Sequence, residues 1–393
     1  MRLAFICSSL APGRDGVGDY TLRLGGEIIR QGHPSVALAL NDHHVSAPTS
    51  ETQHIEGNAV PVLRLPGTLS WTERETMARN YLAGFNPDWI SLQVVPFGFH
   101  PKGLCFELGR RLQTLSTKAA WHIMFHELWL GLGEGSSAKH RVWGLLQRRI
   151  IQDLIKRLRP RIIHTQAEAH RIILCREKLE VSILPLHSNI PVIGGDGWAG
   201  LLEPLVTKAT GRLRSRDELY LAGILGAVYP EWNAELTVNT LFPLVERFKK
   251  RLVLVFHGKN NLTPEALDKL RNMFHDRADI VVAGERSALE VSLILQTVDI
   301  GIATTPRQML QKSGSIAVML EHGLQVLVTR DDWHLRGFKP HLPEPYSRLL
   351  TAQEFATLQT LPRRGKKPTG NNRVELIADQ LLAAMKSASL ART

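Results

Sequence analysis

The chain has 393 residues, of which 44% are hydrophobic and 22% are charged. This composition is that of a globular protein, and it excludes a disordered chain, a collagen-like fibre and a coiled coil. At roughly 150 residues per domain, the length predicts two domains or one large one. The formal net charge of +11 favours anionic partners, namely nucleic acid, acidic lipid headgroups or phosphorylated small molecules, without choosing among them.

Cysteine usage and hydropathy predict the compartment. The three cysteines, Cys7, Cys105 and Cys175, have no metal-like spacing, and an odd, sparse count argues for a reducing environment. No apolar run approaches the ~20 residues that span a bilayer, and the N-terminal run at 3–7 is too short for the core of a signal peptide. We expect a cytoplasmic protein, with peripheral contact at the inner membrane surface as an option.

Short apolar runs separated by helical patterns dominate the chain. The first series lies at 3–7, 35–40, 89–95, 119–125, 161–164 and 181–184, and the second at 221–228, 252–256, 280–283, 299–303 and 324–329. Near-continuous apolar runs are typical of parallel strands covered on both faces, and their alternation with helices indicates an α/β fold. The sequence therefore predicts two doubly wound, Rossmann-like parallel-sheet domains facing a central cleft.

A stretch rich in glycine and proline interrupts the pattern and places the predicted boundaries. We expect a first domain at 1–195, a linker at 196–218 and a second domain at 219–370. A last helical segment at 371–393 is expected to cross back to the first domain.

Ligands of open parallel sheets bind beyond the carboxyl ends of the strands, so residues just after each strand are the candidates. Gly16, Val17, Gly18 and Asp19 follow the first strand and open a helix, where glycines allow close approach and free N–H groups attract anions. The alternative is a plain strand-to-helix turn with Asp19 as the N-cap.

Three further first-domain residues follow strands. Gly98 and His100 lie in a loop with aromatic residues that suits a sugar or a base, or is an ordinary surface loop. His126 with Glu127 suits general acid–base chemistry, or is a loop histidine with a chance neighbour. No second ligand stands at helix spacing, so no metal site is predicted. His122 is interpreted as a core histidine.

In the second domain, four residues open a helix that ends before Gly323: Lys312, Ser313, Gly314 and Ser315. Hydroxyl groups, helix N–H donors and a lysine favour phosphate binding, whereas the simple alternative is Ser313 as an N-cap. Other second-domain strand ends carry the weaker candidates Tyr229, Lys259, Gly284 and Thr305.

The segment 139–161 carries eight lysines and arginines on an otherwise apolar helical pattern. Such a helix suits anionic lipid or nucleic acid, although a solvated helix face explains it equally simply. No nucleic-acid motif accompanies it, and no nucleic-acid partner is expected.

Five segments together resemble the GT-B glycosyltransferases, in particular family 4, over nearly the whole chain. They are 16–21, similar to that family's first glycine loop, 126–129, similar to its His-Asp/Glu element, and 187–191, 298–302 and 321–328. The resemblance implies an acceptor-side first domain, a nucleotide-sugar-binding second domain and His126 in the sugar pocket. The chain departs from the family at two places. Leu310 and Val318 stand where the family carries two donor-site glutamates, and the Arg and Lys that the family carries after the first strand of the second domain are missing.

The first hypothesis is a metal-independent glycosyltransferase, retaining by resemblance, that moves a sugar from a nucleoside-diphosphate donor to an acceptor. The catalytic residues are then His126 and Glu127, and Asp19, Gly98 and His100 bind the acceptor. The donor residues are Gly16, Val17, Gly18, Tyr229, Lys259, Gly284, Thr305, Lys312, Ser313, Gly314 and Ser315. No cofactor beyond the donor substrate is expected. The second hypothesis is a GT-B relative that binds a nucleotide sugar or glycan without turnover; the third is a nucleic-acid or membrane-surface protein.

Overall fold

The computed structural model describes residues 1–115, 118–337, 341–365 and 373–390. These residues divide into two compact units. Unit one contains residues 1–189, a short return at 334–337 and the last helix at 373–390, and unit two contains 190–333 and 341–365, each within the described part of the chain. The boundary predicted at 370/371 lies outside the described residues.

Unit one is built on an eight-stranded sheet of order β3-β4-β2-β1-β5-β6-β7-β8. Its strands are β1 (Leu3–Cys7), β2 (Ser35–Asp42), β3 (Thr49–Ile55), β4 (Asn58–Pro66), β5 (Trp89–Val94), β6 (Ala120–Phe125), β7 (Ile162–Thr165) and β8 (Ser182–Ile183). Its first six helices are α1 (Gly16–Arg30), α2 (Trp71–Phe85), α3 (Pro96–Phe99), α4 (Leu108–Gln113), α5 (Ala138–Leu158) and α6 (Glu168–Arg176).

Every strand pair in this sheet is parallel except the hairpin of β3 and β4. The central strands β1, β2 and β5 are buried along their whole length, as expected for a sheet covered on both faces. The hairpin does not follow from the apolar runs, because β3 is a polar, half-exposed edge strand with no hydrophobic signature.

Unit two is built on a six-stranded sheet of order β11-β10-β9-β12-β13-β14, all pairs parallel. Its strands are β9 (Leu219–Leu225), β10 (Arg251–His257), β11 (Ala278–Gly284), β12 (Ile300–Ala303), β13 (Val326–Val328) and β14 (Leu350–Thr351). Its helices are α7 (Glu203–Thr210), α8 (Ala234–Arg247), α9 (Pro264–Phe274), α10 (Ala288–Thr297), α11 (Gly314–Glu321) and α12 (Ala352–Ala356). A π-helical turn (Trp198–Leu202) and the 3-10 turns Arg216–Glu218, Arg307–Lys312 and Tyr346–Arg348 complete it.

The segment 196–218, predicted as a linker, contains a π-helical turn, α7 and a 3-10 turn. Leu202 and Val206 of this segment lie in the buried core of unit two, among side chains of β9, β10 and β11. The apolar spacing of these two residues, four apart, is what a helix needs to bury one face.

The last helix, α13 (Val374–Leu390), belongs to unit one. Its face of Ile377, Ala378, Leu381 and Met385 is completely buried. It packs beside α1, where the Gln31 side chain that ends α1 donates to the Glu375 carbonyl at 3.5 Å.

Candidate functional site

In each sheet the strand order reverses direction once, and the candidate residues lie at the carboxyl ends of the strands beside that point. In unit one, β1 has β2 on one side and β5 on the other; in unit two, β9 lies between β10 and β12. Such a topological switch point opens a crevice at the carboxyl edge of the sheet. Each unit therefore carries its own candidate site.

The loop from β1 into α1 is capped by Asp15, not by Asp19. The Asp15 side chain accepts from the backbone N–H groups of Val17 (3.0 Å) and Gly18 (2.7 Å). Asp19 lies in the first turn and accepts from the Gly13 N–H at 2.9 Å. Burial raises the pKa of the Asp19 carboxyl to about 6, which places its titration near neutral pH. Perturbed carboxyls of this kind are typical of functional sites.

Asp42, at the end of β2, anchors the start of the same loop. Its carboxylate accepts from the Ser9 hydroxyl (3.1 Å) and from the N–H groups of Leu10 (3.1 Å) and His44 (3.0 Å). It also pairs with Arg64 at 2.9 Å, and the Asp42 side chain is completely buried. Burial alone would raise its pKa, but the hydrogen bonds from Arg64, His44 and Leu10 hold the pKa below its usual value. Asp42 thus fixes the backbone that precedes the glycine loop.

The two glycines of this loop have different structural roles. A Cβ on Gly18 would lie 2.6 Å from the Ser9 carbonyl oxygen and 3.3 Å from the Leu10 Cα, whereas a Cβ on Gly16 would meet nothing within 4 Å. Gly18 lets α1 pack directly on the backbone after β1. Gly16 leaves open space where a ligand can approach the chain.

We therefore predict that Gly18→Ala destabilises unit one by about 1–3 kcal/mol, because the methyl group overlaps backbone atoms that cannot rotate away. The matched control is Gly16→Ala, expected to be neutral or slightly stabilising since alanine is the better helix former. Differential scanning calorimetry of both variants measures the effect. Equal melting temperatures for the two variants would contradict the assigned packing role.

The loop after β5 is tightly built. A Cβ on Gly98 would lie 2.3 Å from the Ser8 hydroxyl oxygen, so Gly98 packs on the residue that follows β1. His100 accepts through Nδ1 from the N–H groups of Lys102 (3.1 Å) and Leu104 (3.2 Å). Its other ring nitrogen is Nε2, and the residue is half-buried. His100 therefore holds its own loop and keeps one ring edge for another partner.

His126 lies buried at the end of β6, between two glutamines. The Gln166 side-chain amide donates to Nδ1 of His126 at 2.7 Å, and Nε2 of His126 donates to the side-chain oxygen Oε1 of Gln93 at 2.8 Å. An amide NH₂ can only donate and an amide oxygen can only accept, so the ring is the neutral Nε2–H tautomer. Burial lowers the pKa of His126 to about 3. Glu127 follows it, half-buried, with its N–H donating to the Val94 carbonyl.

A chain of hydrogen bonds continues from Gln93 into the core. Gln93 donates to the Ser91 hydroxyl (2.7 Å), which bonds His122 Nδ1 (2.8 Å), and His122 Nε2 lies 3.1 Å from His164 Nδ1. Burial lowers the pKa of His164 to about 4 and that of His122 well below its usual value. His122 is thus a hydrogen-bonded core histidine, as the strand alternation predicts.

An aromatic stack joins α1 to the segment that follows β8 in unit one. The Tyr20 ring lies parallel to the His187 ring, 4.3 Å between centroids, and meets the His126 ring edge-on at 5.0 Å. His187 donates from Nδ1 to the Ser188 carbonyl at 2.8 Å, and Arg23 also donates to that carbonyl. Burial, followed by the charge of Arg23, lowers the pKa of His187 to about 3.

In unit two, three neighbouring strands end in glycines of left-handed conformation. Gly226, Gly258 and Gly284 follow or end β9, β10 and β11 with φ of 79°, 78° and 71°. The Gly226 N–H donates to the His257 carbonyl (2.9 Å) and the Gly258 N–H to the Gly284 carbonyl (2.8 Å). The chain turns sharply at each strand end, and the exposed Lys259 follows the middle one.

The start of α11 gathers three hydroxyl groups. The Thr305 hydroxyl donates to that of Ser313 at 3.3 Å, and the Ser313 and Ser315 hydroxyl oxygens lie 3.0 Å apart. Ser313 occupies the N-cap position, yet no side chain caps the helix. A Cβ on Gly314 would meet nothing within 4 Å. An uncapped helix start with adjacent hydroxyls and open space is the arrangement that binds phosphate oxygens.

Arg330, two residues after β13, is hydrogen-bonded to the loop that carries Thr305. Its guanidinium donates to the Thr304 carbonyl at 3.0 Å and forms a two-point ion pair with Asp332 at 2.8 and 2.7 Å. The Cζ atom of Arg330 lies 5.5 Å from the centroid of the Tyr229 ring. Tyr229 itself is 43% exposed. The Thr304 hydroxyl in turn donates to the Ala227 carbonyl at 3.2 Å, so the loops after β9, β12 and β13 meet at the switch point.

The two positions at which the glycosyltransferase family named above carries glutamates are occupied here by core residues. Leu310 and Val318 are each 1% exposed and belong to the hydrophobic cluster of unit two. Lys312 stands between them, half-buried, at the end of the 3-10 turn before Ser313.

The structure thus brings the hydroxyls of Thr305, Ser313 and Ser315 together, and it places Tyr229 against Arg330. Lys259 and Gly284 lie at the same sheet edge on the other side of β9. Arg330 is not among the site residues predicted from the sequence, although it follows β13 closely and residues just after strands are the candidates. Gln93, Gln166 and Asp42 carried no sequence signal, because their roles depend on partners 22 to 40 residues away.

The described residues contain neither a metal-binding cluster nor a membrane-spanning helix. No group of three or more His, Cys, Asp or Glu side chains in that part of the chain is placed to hold a metal ion. Among the helices described there, none combines the length and the apolar character needed to cross a membrane.

Comparison with solved structures identifies the fold. An α,α-trehalose-phosphate synthase (UDP-forming) from Burkholderia xenovorans, in complex with glucose-6-phosphate, is 10% identical over 98% of this chain and 100% of its own, with a TM-score of 0.60. Anabaena HepE in complex with UDP is 12% identical over the whole of both chains, with a TM-score of 0.53. No protein-family model and no curated protein sequence matches. The chain therefore has the GT-B fold of two Rossmann-like domains.

Proposed function

We propose that the protein is a glycosyltransferase that uses a nucleoside-diphosphate sugar as its donor, without a metal ion. The observation that carries the proposal is the uncapped start of α11 with the adjoining hydroxyls of Thr305, Ser313 and Ser315. Two solved structures of the same fold support this choice of ligand class. One is the UDP-forming trehalose-phosphate synthase, and the other is HepE in complex with UDP.

The leaving diphosphate needs dispersed positive charge. Backbone N–H donors at Gly314 and Ser315, the helix dipole and the Lys312 ammonium supply it at one place. Tyr229 on Arg330 offers a flat, exposed ring to the donor, and Lys259 and Gly284 extend the edge along which the nucleotide lies. Gly16, Val17 and Gly18 complete the donor loop in this proposal, with Gly16 as the point of close approach.

Unit one takes the acceptor in this proposal. In the transfer step the bond from the sugar C1 to the diphosphate breaks, a bond from C1 to an acceptor hydroxyl oxygen forms, and the hydroxyl proton must leave. Asp19, with its pKa raised to about 6, receives or shares that proton, while His100 and Gly98 line the acceptor loop. His126 acts as a neutral, fixed wall of the sugar pocket beside Glu127, and the resemblance implies retention of the anomeric configuration.

A thermal-shift screen against UDP, GDP, ADP, TDP and CMP, with and without magnesium, tests the donor site. A selective rise in melting temperature with one nucleoside diphosphate, independent of magnesium, is expected, since a ligand at 100 times its Kd stabilises by about 2.7 kcal/mol. The absence of a shift with every nucleotide would overturn the proposal.

We predict that Lys312→Ala weakens binding of the selected nucleoside diphosphate by about 1.5–3 kcal/mol, because it removes a charge-assisted contact. Titration calorimetry of the wild-type and variant proteins measures the loss. The control is Lys269→Ala, which removes an exposed lysine on α9 and is expected to bind normally. Equal affinities of wild type and Lys312→Ala would remove Lys312 from the site.

A second candidate function is nucleotide-sugar binding without turnover. The observation that favours it is the aliphatic, buried state of Leu310 and Val318 at the positions of the two family glutamates. A chain that binds a nucleoside diphosphate tightly, yet neither transfers nor hydrolyses the sugar of the matching donor over long incubation, would support this second function.

A further inference from the structure

The helix α5 presents an apolar stripe to solvent on the side opposite its buried face. The buried face is formed by Gly144, Gln147, Ile150, Ile151, Leu154 and Leu158. The stripe consists of Val142, Leu145 and Leu146, which are 62%, 55% and 36% exposed. At 100° per residue, Val142 and Leu145 lie roughly 150° around the helix axis from the centre of the buried face, and Leu146 lies at the side of the helix.

Cations surround this stripe. Lys139 and Arg141 precede it and Arg149 follows it by one turn; all three are exposed, and the described residues give them no ion-pair partner. The sequence from Gly135 to Gln152 contains no acidic residue. Arg148, by contrast, is paired with Glu177 at 2.8 Å and is not part of the group. We call Lys139, Arg141, Val142, Leu145, Leu146 and Arg149 the α5 surface.

We propose that the α5 surface docks the protein on an anionic lipid bilayer. An exposed aliphatic stripe with flanking cations matches both layers of such a surface, because the aliphatic groups enter the boundary between headgroups and acyl chains while the cations stay at the phosphates. A neutral protein partner would explain the stripe but not the three exposed cations beside it. The overall charge of +11 adds attraction to the same surface.

Hydrogen bonds and packing hold α5 in place in unit one, so the α5 surface can dock while unit one stays folded. The loop before α4 is tied to the helix by hydrogen bonds from Trp143 (2.9 Å) and Gln147 (3.0 Å) to the Lys102 carbonyl. The stripe therefore stands on a rigid support, and docking requires no unfolding or rearrangement of the helix.

Co-sedimentation of the full chain with vesicles tests the proposal. Binding is expected to vesicles that contain 30% phosphatidylglycerol in phosphatidylcholine, to fall as salt rises and to be absent with pure phosphatidylcholine. The charge variant Lys139→Gln/Arg141→Gln/Arg149→Gln is expected to lose about a hundred-fold in partition coefficient. The apolar variant Val142→Ser/Leu145→Ser/Leu146→Ser is expected to lose at least ten-fold.

Matched controls come from unit two. Lys208→Gln/Lys249→Gln/Lys269→Gln removes the same charge from exposed lysines, and Leu213→Ser/Leu236→Ser/Leu289→Ser removes three exposed leucines. Both controls are expected to bind like the wild type. Equal losses in variants and controls, or no binding to anionic vesicles at low salt, would overturn the proposal. So would duplex DNA binding with a dependence on the same three cations, or a dimer in sedimentation velocity that the apolar variant dissociates. None of these measurements depends on the donor site.

Discussion

Unit one is expected to lose stability steeply as the pH falls from 6.5 towards 4. Burial lowers the pKa of His126 and His187 to about 3 and that of His164 to about 4, and it lowers the pKa of His122 as well. The unfolded chain, with histidine pKa values near 6.5, binds more protons than the folded chain in this range. Stability is therefore fully present above pH 6.5, and each histidine removes roughly 1.4 kcal/mol per pH unit below it.

One carboxyl acts in the opposite direction. The pKa of Asp19 is raised to about 6 in the fold, so between about pH 4 and 6 the folded chain binds that proton more tightly and acid stabilises it. The Asp19 contribution offsets one of the four histidines. The remaining slope, about 4 kcal/mol per pH unit, is large beside the 5–15 kcal/mol of an ordinary domain.

Urea unfolding at pH 7.5, 6.0 and 5.0, followed by pulsed hydrogen exchange of peptides from β5 and β6, measures this slope for unit one alone. His187→Gln is expected to reduce the slope by one proton, and the control His54→Gln, at an exposed position, is expected to leave it unchanged. A stability of unit one that stays constant between pH 7.5 and 5.0 would show that the buried rings are not held neutral by the fold.

The substitution Asp42→Ala is expected to destabilise unit one by about 3–5 kcal/mol. It leaves the largely buried Arg64 guanidinium without its main partner and removes the acceptor for three loop donors. Breaking one side of a buried ion pair costs far more than the pair itself contributes, because the remaining charge stays desolvated.

The matched control for Asp42→Ala uses the same arginine. Glu51→Ala removes the other carboxylate near Arg64, at 3.4 Å and 38% exposed, and such exposed pairs contribute at most about 1 kcal/mol. Calorimetric melting of both variants distinguishes the two contributions. A loss for Asp42→Ala no greater than that for Glu51→Ala would contradict the anchoring role of Asp42.

The apolar runs predicted the interior strands well, because strands buried on both faces carry their own signature. The run 3–7 coincides with β1, and the run 89–95 ends one residue beyond β5. The polar edge strand β3 has no such signature, since it is held by its antiparallel pairing with β4 and not by the burial of apolar side chains. The N-cap of α1 is Asp15 rather than Asp19, because the Asp15 carboxylate accepts from the N–H groups of Val17 and Gly18 and the helix therefore begins at Gly16.

The candidate sites could be predicted only where function needs a local pattern. Ser313, Gly314 and Ser315 are neighbours in sequence, and the structure places the two serine hydroxyls together with that of Thr305. Arg330 and Gln166 act on residues from other strands, and single-sequence patterns contain no information on such pairings. The tautomer of His126 follows from two glutamine amides that only the folded sheet brings to the ring.

The place of α13 in unit one has a consequence for how the chain is made. The helix that covers α1 follows every described element of unit two along the chain, so unit one stays incomplete until α13 has been synthesised, whereas the described strands of unit two end at residue 351. A fragment that stops after residue 189 would expose the faces that Ile377, Leu381 and Met385 cover. Expression of the first half alone therefore calls for a fusion that carries α13 back on a short linker.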